Sequence, residues 1–153
     1  MVDLLAICAF HAAYAHAIDS DSLEQWPLFF TERCTYRITN VENERDGLPA
    51  GIIFADSRAM LEDRVTALRE ANIYERQRYR HLLGIPLIES ADENGAVART
   101  PFMVARIMHT GETLLFATGV YQDRFQKAGA LLLSERIVVC DSTITDTLLA
   151  LPL

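Results

Sequence analysis

Arg76-Gln77-Arg78-Tyr79-Arg80-His81-Leu82-Leu83-Gly84-Ile85-Pro86-Leu87-Ile88 divides this chain of 153 residues into two halves of different character. Before it the pattern is mostly helical with short extended pieces. After Arg78, and as far as Cys140, long apolar and alternating runs are separated by glycine-containing turns. Helices followed by a run of strands indicate an α+β fold. Within the stretch, three arginines and a histidine alternate with residues that belong in a core, so one face of this strand turns inward and the other faces a partner or a pocket.

Downstream, the pattern predicts strands near 78–89, 98–109, 113–125 and 131–140, joined at Asn94-Gly95, His109 to Glu112 and Lys127 to Gly129. Links this short imply antiparallel neighbours. The strands exceed the usual length of about five or six residues, which points to a strongly curved sheet. Gly84, Pro86 and Gly119 mark places where curvature would concentrate.

Upstream, Ile7, Phe10, Tyr14 and Ile18 recur at helical spacing in a first helix whose alanines permit close packing on other sides. Asp21 and Glu24 have the spacing of a capping box for a short helix carrying Leu23, Trp26 and Phe30. Cys34 to Asn40 alternates as a strand, Glu42 to Pro49 reads as a loop, and Ala50 to Ala55 reads as a short strand. Asp56 or Ser57 caps a third helix that ends near Ala71 or Tyr74. No linker divides the chain, so residues 1–153 are expected to form a single domain, a cone of about three helices on a curved, mixed or antiparallel sheet. Its interior is expected to be filled by side chains such as Phe10, Leu61, Leu68, Phe102, Ile107 and Val138.

Composition narrows the function. A net charge of −7 disfavours nonspecific binding to nucleic acid or to an anionic membrane. Cys8, Cys34 and Cys140 are odd in number and far apart, indicating neither a disulfide framework nor a cysteine zinc site and fitting a cytoplasmic setting. The apolar stretch Leu4 to Ile18 lacks a basic flank and is shorter than the roughly 20 residues a membrane span needs, so it reads as a core helix.

Few residues invite chemistry. His11 and His16 are five positions apart, about 500° of helical rotation, so their rings diverge by roughly 140° and cannot share one ion. His81 on an inward face could serve as an acid or base, but no carboxylate lies near it in sequence. No nucleophile elbow, phosphate loop or dinucleotide fingerprint occurs. Arg76, Arg78 and Arg80 form a basic stripe on an acidic protein, either a solvated face or a docking surface.

Five stretches carry a resemblance: WPLFFTERCTYRITN (26–40), GIIFADSRAMLEDR (51–64), ANIYERQRYRHLL (71–83), TPFMVARIMHTGET (100–113) and CDSTITDTLLALPL (140–153). Together they resemble the small (beta) subunit of Rieske-type aromatic-ring-hydroxylating dioxygenases, in the branch acting on aromatic carboxylates such as terephthalate and salicylate. The run Arg80 to Ile85 departs from the R-H-x-I-x-N-V pattern of the naphthalene and biphenyl branch. The resemblance implies the cone fold shared with nuclear transport factor 2, ketosteroid isomerase and scytalone dehydratase. It also implies a chain without catalytic residues or metal ligands, whose partner is a large (alpha) subunit holding a Rieske [2Fe-2S] cluster and mononuclear Fe(II). Three small subunits would support three large ones in a hexamer. A Rieske site needs both a C-x-H and a C-x-x-H pair; Cys8-Ala9-Phe10-His11 has the second spacing, but no cysteine here stands in the first, so the ligand set is incomplete. Arg76, Arg78, Arg80, Leu148, Leu149, Leu151 and Leu153 are the expected interface residues. The competing reading is a free-standing dehydratase or isomerase of the same fold with an acid–base dyad around His81. An enclosed pocket with converging titratable groups would favour that enzyme, and a filled cone the subunit.

Overall fold

The computed structural model describes residues 1–47, 53–71, 76–142 and 151–153. Helix α1 (Leu4–Asp19) begins where the Asp3 carboxylate accepts the Ala6 N–H at 2.8 Å, and it buries Ile7, Phe10, His11, Tyr14 and Ile18 along one side. Of its alanines, Ala15 and Ala17 are buried as the sequence suggests, whereas Ala6 is exposed. Leu5 is exposed, as are Ala9, Ala12 and Ala13.

The segment Leu23–Phe29 is a 3-10 helix rather than an α-helix, and Asp21 and Glu24 do not form the expected capping box. Both acidic side chains instead bond the Arg69 guanidinium, at 2.8 Å for Asp21 and at 2.8 and 3.1 Å for Glu24. Pro27 inside the segment lacks the N–H that a regular helix would use. Trp26 is fully buried beneath it.

Strand β1 (Phe30–Asn40) starts four residues earlier than the alternation indicates, with an irregular register near its start. The stretch read as a loop opens with a five-residue helix, α2 (Val41–Arg45), capped by the Asn40 side chain, which accepts the Asn43 N–H at 2.9 Å. The short strand expected at Ala50 to Ala55 is found as β2 (Ile53–Ser57), residues 50–52 lying outside the described ones. Helix α3 (Arg58–Ala71) is capped by the Ser57 hydroxyl at Met60 N–H, buries Leu61 and Val65, and is tied to β1 by Arg58, which donates to the Phe30 carbonyl.

The strand foreseen at 78–89 is two strands, β3 (Gln77–Leu83) and β4 (Leu87–Ala91), both antiparallel to β5 (Gly95–Met108). The break falls at Gly84-Ile85-Pro86. Pro86 has no N–H to give the ladder, and a Cβ on Gly84 would stand 3.1 Å from the Pro101 ring opposite. Strands β6 (Thr113–Ala128) and β7 (Ala130–Cys140) complete a seven-stranded sheet of order β2-β1-β7-β6-β5-β3, with β4 also on β5. All neighbours are antiparallel except β1 and β7, which run parallel. The fold is therefore α+β with an open, mixed sheet, as expected.

Register shifts at Val104/Ala105 and Arg124/Phe125 bend the sheet. Gly119 is not such a shift. Its place in the ladder is regular, but a Cβ there would lie 2.1 Å from the Val139 carbonyl oxygen, so only glycine fits the close approach. Phe10, Leu61, Phe102 and Val138 sit in the core as expected, and Leu68 packs partly against it. Ile107 does not. It alternates with inward Arg106 and Met108 and so lies half-buried on the outer face, opposite exposed Arg78.

Candidate functional site

Period-two alternation carries polar side chains onto the inner face of the sheet, and there they meet α1. Tyr121, Asp123 and Phe125 of β6 and Arg136 of β7 all turn inward and are buried. Arg136 gives Asp123 a bidentate pair, with Nε and Nη2 each at 2.8 Å from a carboxylate oxygen. Its guanidinium carbon lies between two rings, 4.2 Å from the centroid of Tyr14 and 3.9 Å from that of Tyr121. The remaining contact is His11, whose Nδ1 is 3.1 Å from Nη2 while Nε2 lies 3.0 Å from the Thr100 hydroxyl.

Burial, and then the Arg136 charge, push the His11 imidazole down to about 3, so the ring is neutral. Nδ1 then accepts from Arg136, and Nε2–H faces Thr100. Burial raises the Asp123 carboxyl while Arg136 lowers it. The forked geometry, with a guanidinium that does not deprotonate in proteins, makes this an ionised pair. Burial also raises the Tyr14, Tyr36 and Tyr121 hydroxyls, which keeps them protonated. The centre of the cone is thus occupied by an interlocked network in which most polar groups bond one another, while Arg136 Nη1 and the Tyr121 hydroxyl are buried without a hydrogen-bond partner among the described residues.

A second cluster forms where the end of α1 meets β3. Asp19 accepts the His81 main-chain N–H at 2.8 Å, and its other oxygen lies 2.6 Å from His81 Nδ1. A carboxylate in the last turn of a helix sits against the helix dipole. The bonds from His81, with Arg80 at 3.9 Å, offset that cost. Asp19 therefore covers an otherwise open N–H on the edge strand and fastens α1 to it. Sequence spacing could not show this carboxylate, 62 residues away from the histidine it serves. The pairing has the form of an acid–base dyad, but the His81 side chain is fully buried and Nε2 has no hydrogen-bond partner. Both residues border an open pocket of about 430 Å³ with His11, His16 and Arg80, and the pair fastens the edge strand to α1.

The other candidates are dispersed. His11 is buried and His16 exposed on different sides of α1. Among the described residues, no three His, Cys, Asp or Glu side chains are grouped to hold a metal ion. The three cysteines are free. Arg76, Arg78 and Arg80 are all exposed on the outer side of β3. Arg76 and Arg78 line an open cleft of about 820 Å³ together with Asp19, Asp21 and Leu151. Leu148 and Leu149 lie outside the described residues, whereas Leu151 and Leu153 are buried in the chain's own core. No helix among the described residues is long and apolar enough to cross a membrane.

A cone of this topology, with a sheet wrapped on α1 and α3, is that of the SnoaL-like domain, whose family pattern matches residues 1–136. The full chain is 63% identical to the beta 1 subunit of the terminal oxygenase component of terephthalate 1,2-dioxygenase from Comamonas sp., covering all of both chains. It is 37% identical to the small subunit of anthranilate 1,2-dioxygenase from Burkholderia cepacia, over 92% of this chain and 88% of that one. A crystal structure of a beta subunit assigned to an aromatic-ring-hydroxylating dioxygenase of Novosphingobium aromaticivorans superposes with a TM-score of 0.89 at 38% identity, covering 98% and 96% of the two chains. The chain belongs to the family of small (beta) subunits of aromatic-ring-hydroxylating dioxygenases. The dehydratase reading is not favoured.

Proposed function

We propose that the chain is the noncatalytic, structural small subunit of a multicomponent oxygenase that hydroxylates an aromatic carboxylate such as terephthalate or salicylate. Its partner in this reading is a large subunit carrying the Rieske [2Fe-2S] cluster and mononuclear Fe(II). Identity of 63% from end to end with a terephthalate dioxygenase beta subunit carries the proposal. Two structural features support it: the centre of the cone is taken up by side chains that bond one another, and the outer face offers contacts. Leu82, Met103 and Leu115 are exposed there beside the arginine stripe. Large apolar residues of this kind on a sheet face suit burial against another chain, and Arg76, Arg78 and Arg80 would set orientation against acidic groups. We place Leu148 and Leu149 at the interface too. Leu151 and Leu153 would contribute by anchoring that tail. Three copies, acting in the cytoplasm as one domain each, would form a base for three large subunits.

Coexpression with a large subunit of such an oxygenase tests this reading. Copurification, iron confined to the large chain, and hydroxylation of an aromatic carboxylate are expected. A large subunit that is fully active and fails to bind this chain would overturn the proposal. So would stoichiometric iron on the isolated chain that is lost in His11→Ala or His16→Ala.

A further inference from the structure

The segment Leu151-Pro152-Leu153 belongs to no helix or strand, yet all three residues are buried. A segment outside the sheet ladder must still satisfy its main-chain polar groups, and here side chains do so. The hydroxyls of Tyr14 on α1 and Tyr36 on β1 donate to the Leu153 carbonyl oxygen at 2.9 and 3.1 Å, and the Leu153 N–H donates to the Tyr36 oxygen at 3.1 Å. Trp26 Nε1–H donates to the Tyr14 oxygen at 2.9 Å, which aims the Tyr14 proton at Leu153. The rings of Trp26 and Tyr36 meet edge to face at 5.2 Å, and Phe30 closes on both, at 5.9 Å from Trp26 and 5.8 Å from Tyr36. Leu151 reaches the wall of the open cleft, so the segment runs between the interior and the surface.

An aromatic box with a few convergent donors that read one residue's N–H and C=O is how a protein holds a peptide. We propose that the inner cone is a peptide pocket, filled in cis by Leu151-Pro152-Leu153, and that it accepts a short apolar peptide bearing branched aliphatic residues when its own segment cannot fill it. Leu151 shares the open cleft with Arg76 and Arg78, and filling of the pocket in cis does not require a partner chain.

The test uses the full-length chain carrying Leu151→Gly and Leu153→Gly, with acetyl-Leu-Pro-Leu as probe and acetyl-Gly-Pro-Gly as control. The double change should lower Tm by about 10 °C or more. The leucine tripeptide should restore several degrees in a saturable way, and the control should not. Trp26, the single tryptophan, reports directly: its emission should shift to the red in the variant and back on binding. Adding Tyr36→Phe should abolish the response to the tripeptide. A double variant with the parent Tm, or equal effects of the two tripeptides, would overturn the proposal. If the double variant does not fold, hydrogen exchange at the Leu153 amide of the unmodified chain decides: strong protection supports the pocket, and exchange at the rate of a free peptide refutes it.

Discussion

The two faces of the sheet use arginine in opposite ways. On the inner face Arg136 is fully buried and every neighbour is matched to it: Asp123 by charge, Tyr14 and Tyr121 by their rings, His11 by a lone pair. On the outer face Arg78 and Arg80 stand exposed on an edge strand, among apolar side chains that solvent also reaches. A buried charge is tolerated only where its partners are fixed, so the inner arginine is committed to folding. The outer ones stay exposed, Arg80 also 3.9 Å from Asp19, and under the proposed function they are the ones a partner would meet.

Changes to the inner face should cost most. Arg136→Met leaves the Asp123 carboxylate buried without its partner and should lower stability by about 3–5 kcal/mol in denaturant unfolding. Adding Asp123→Leu to that variant should recover much of the loss, because an apolar pair replaces an ionic one. A double variant as unstable as the single one would show that packing, not charge, dominates at this place.

The Asp19 tie comes next. Asp19→Ala removes acceptors for both the N–H and the ring of His81, and a loss of about 2–3 kcal/mol is expected from bonds to a charged group. Amide exchange should accelerate first along β3, the strand that Asp19 covers. Uniform acceleration across the sheet would argue against a local clamp.

His11 ties stability to pH. Its folded form takes up a proton only near 3, whereas the unfolded chain does so near the ordinary histidine value of 6.5. Below 6.5 the unfolded state therefore binds more protons, and this contribution to stability, full above 6.5, falls until about pH 3 and is constant below. The decline should reach about 2 kcal/mol by pH 5. His11→Gln, which keeps hydrogen-bonding atoms facing Thr100 and Arg136, should flatten the profile between pH 6.5 and 5 relative to the parent. An unchanged slope would place the titrating group elsewhere.

The outer face should respond least in stability and most in assembly. Arg78→Glu or Arg80→Glu should alter unfolding by less than about 0.5 kcal/mol, as at other exposed positions. Each should weaken the complex by reversing the sign of the docking charge. Loss of stability without loss of assembly would invert the assignment of the two faces.

How much of this the sequence makes legible follows the range of the interactions. Helix α1 and the hairpins linking β5, β6 and β7 are written in local periodicity and turn residues, whereas Gly84 and Pro86 read as curvature within one strand and only the pairing with β5 shows a break. The parallel pairing of β1 with β7 joins distant segments and leaves no local mark. Asp21 and Glu24 look like a capping box only until Arg69 arrives from another helix. The arginine stripe is visible as alternation, and its exposure agrees. The inner pair carried a signal too, since Tyr121-x-Asp123-x-Phe125 puts a carboxylate on an apolar face, but its partner Arg136 lies on the next strand. Leu151 and Leu153 look like spare apolar surface in the sequence, and only the tertiary fold shows that Tyr14 and Tyr36 hold that segment inside.

Under the proposed function the outer face serves association and the interior serves folding. Light scattering during size-exclusion chromatography, on the chain alone and mixed with its large subunit, tests this most directly. A self-associated chain, with a mass near three copies, that coelutes with the large subunit is expected. A stable monomer that elutes apart from the large subunit would contradict it.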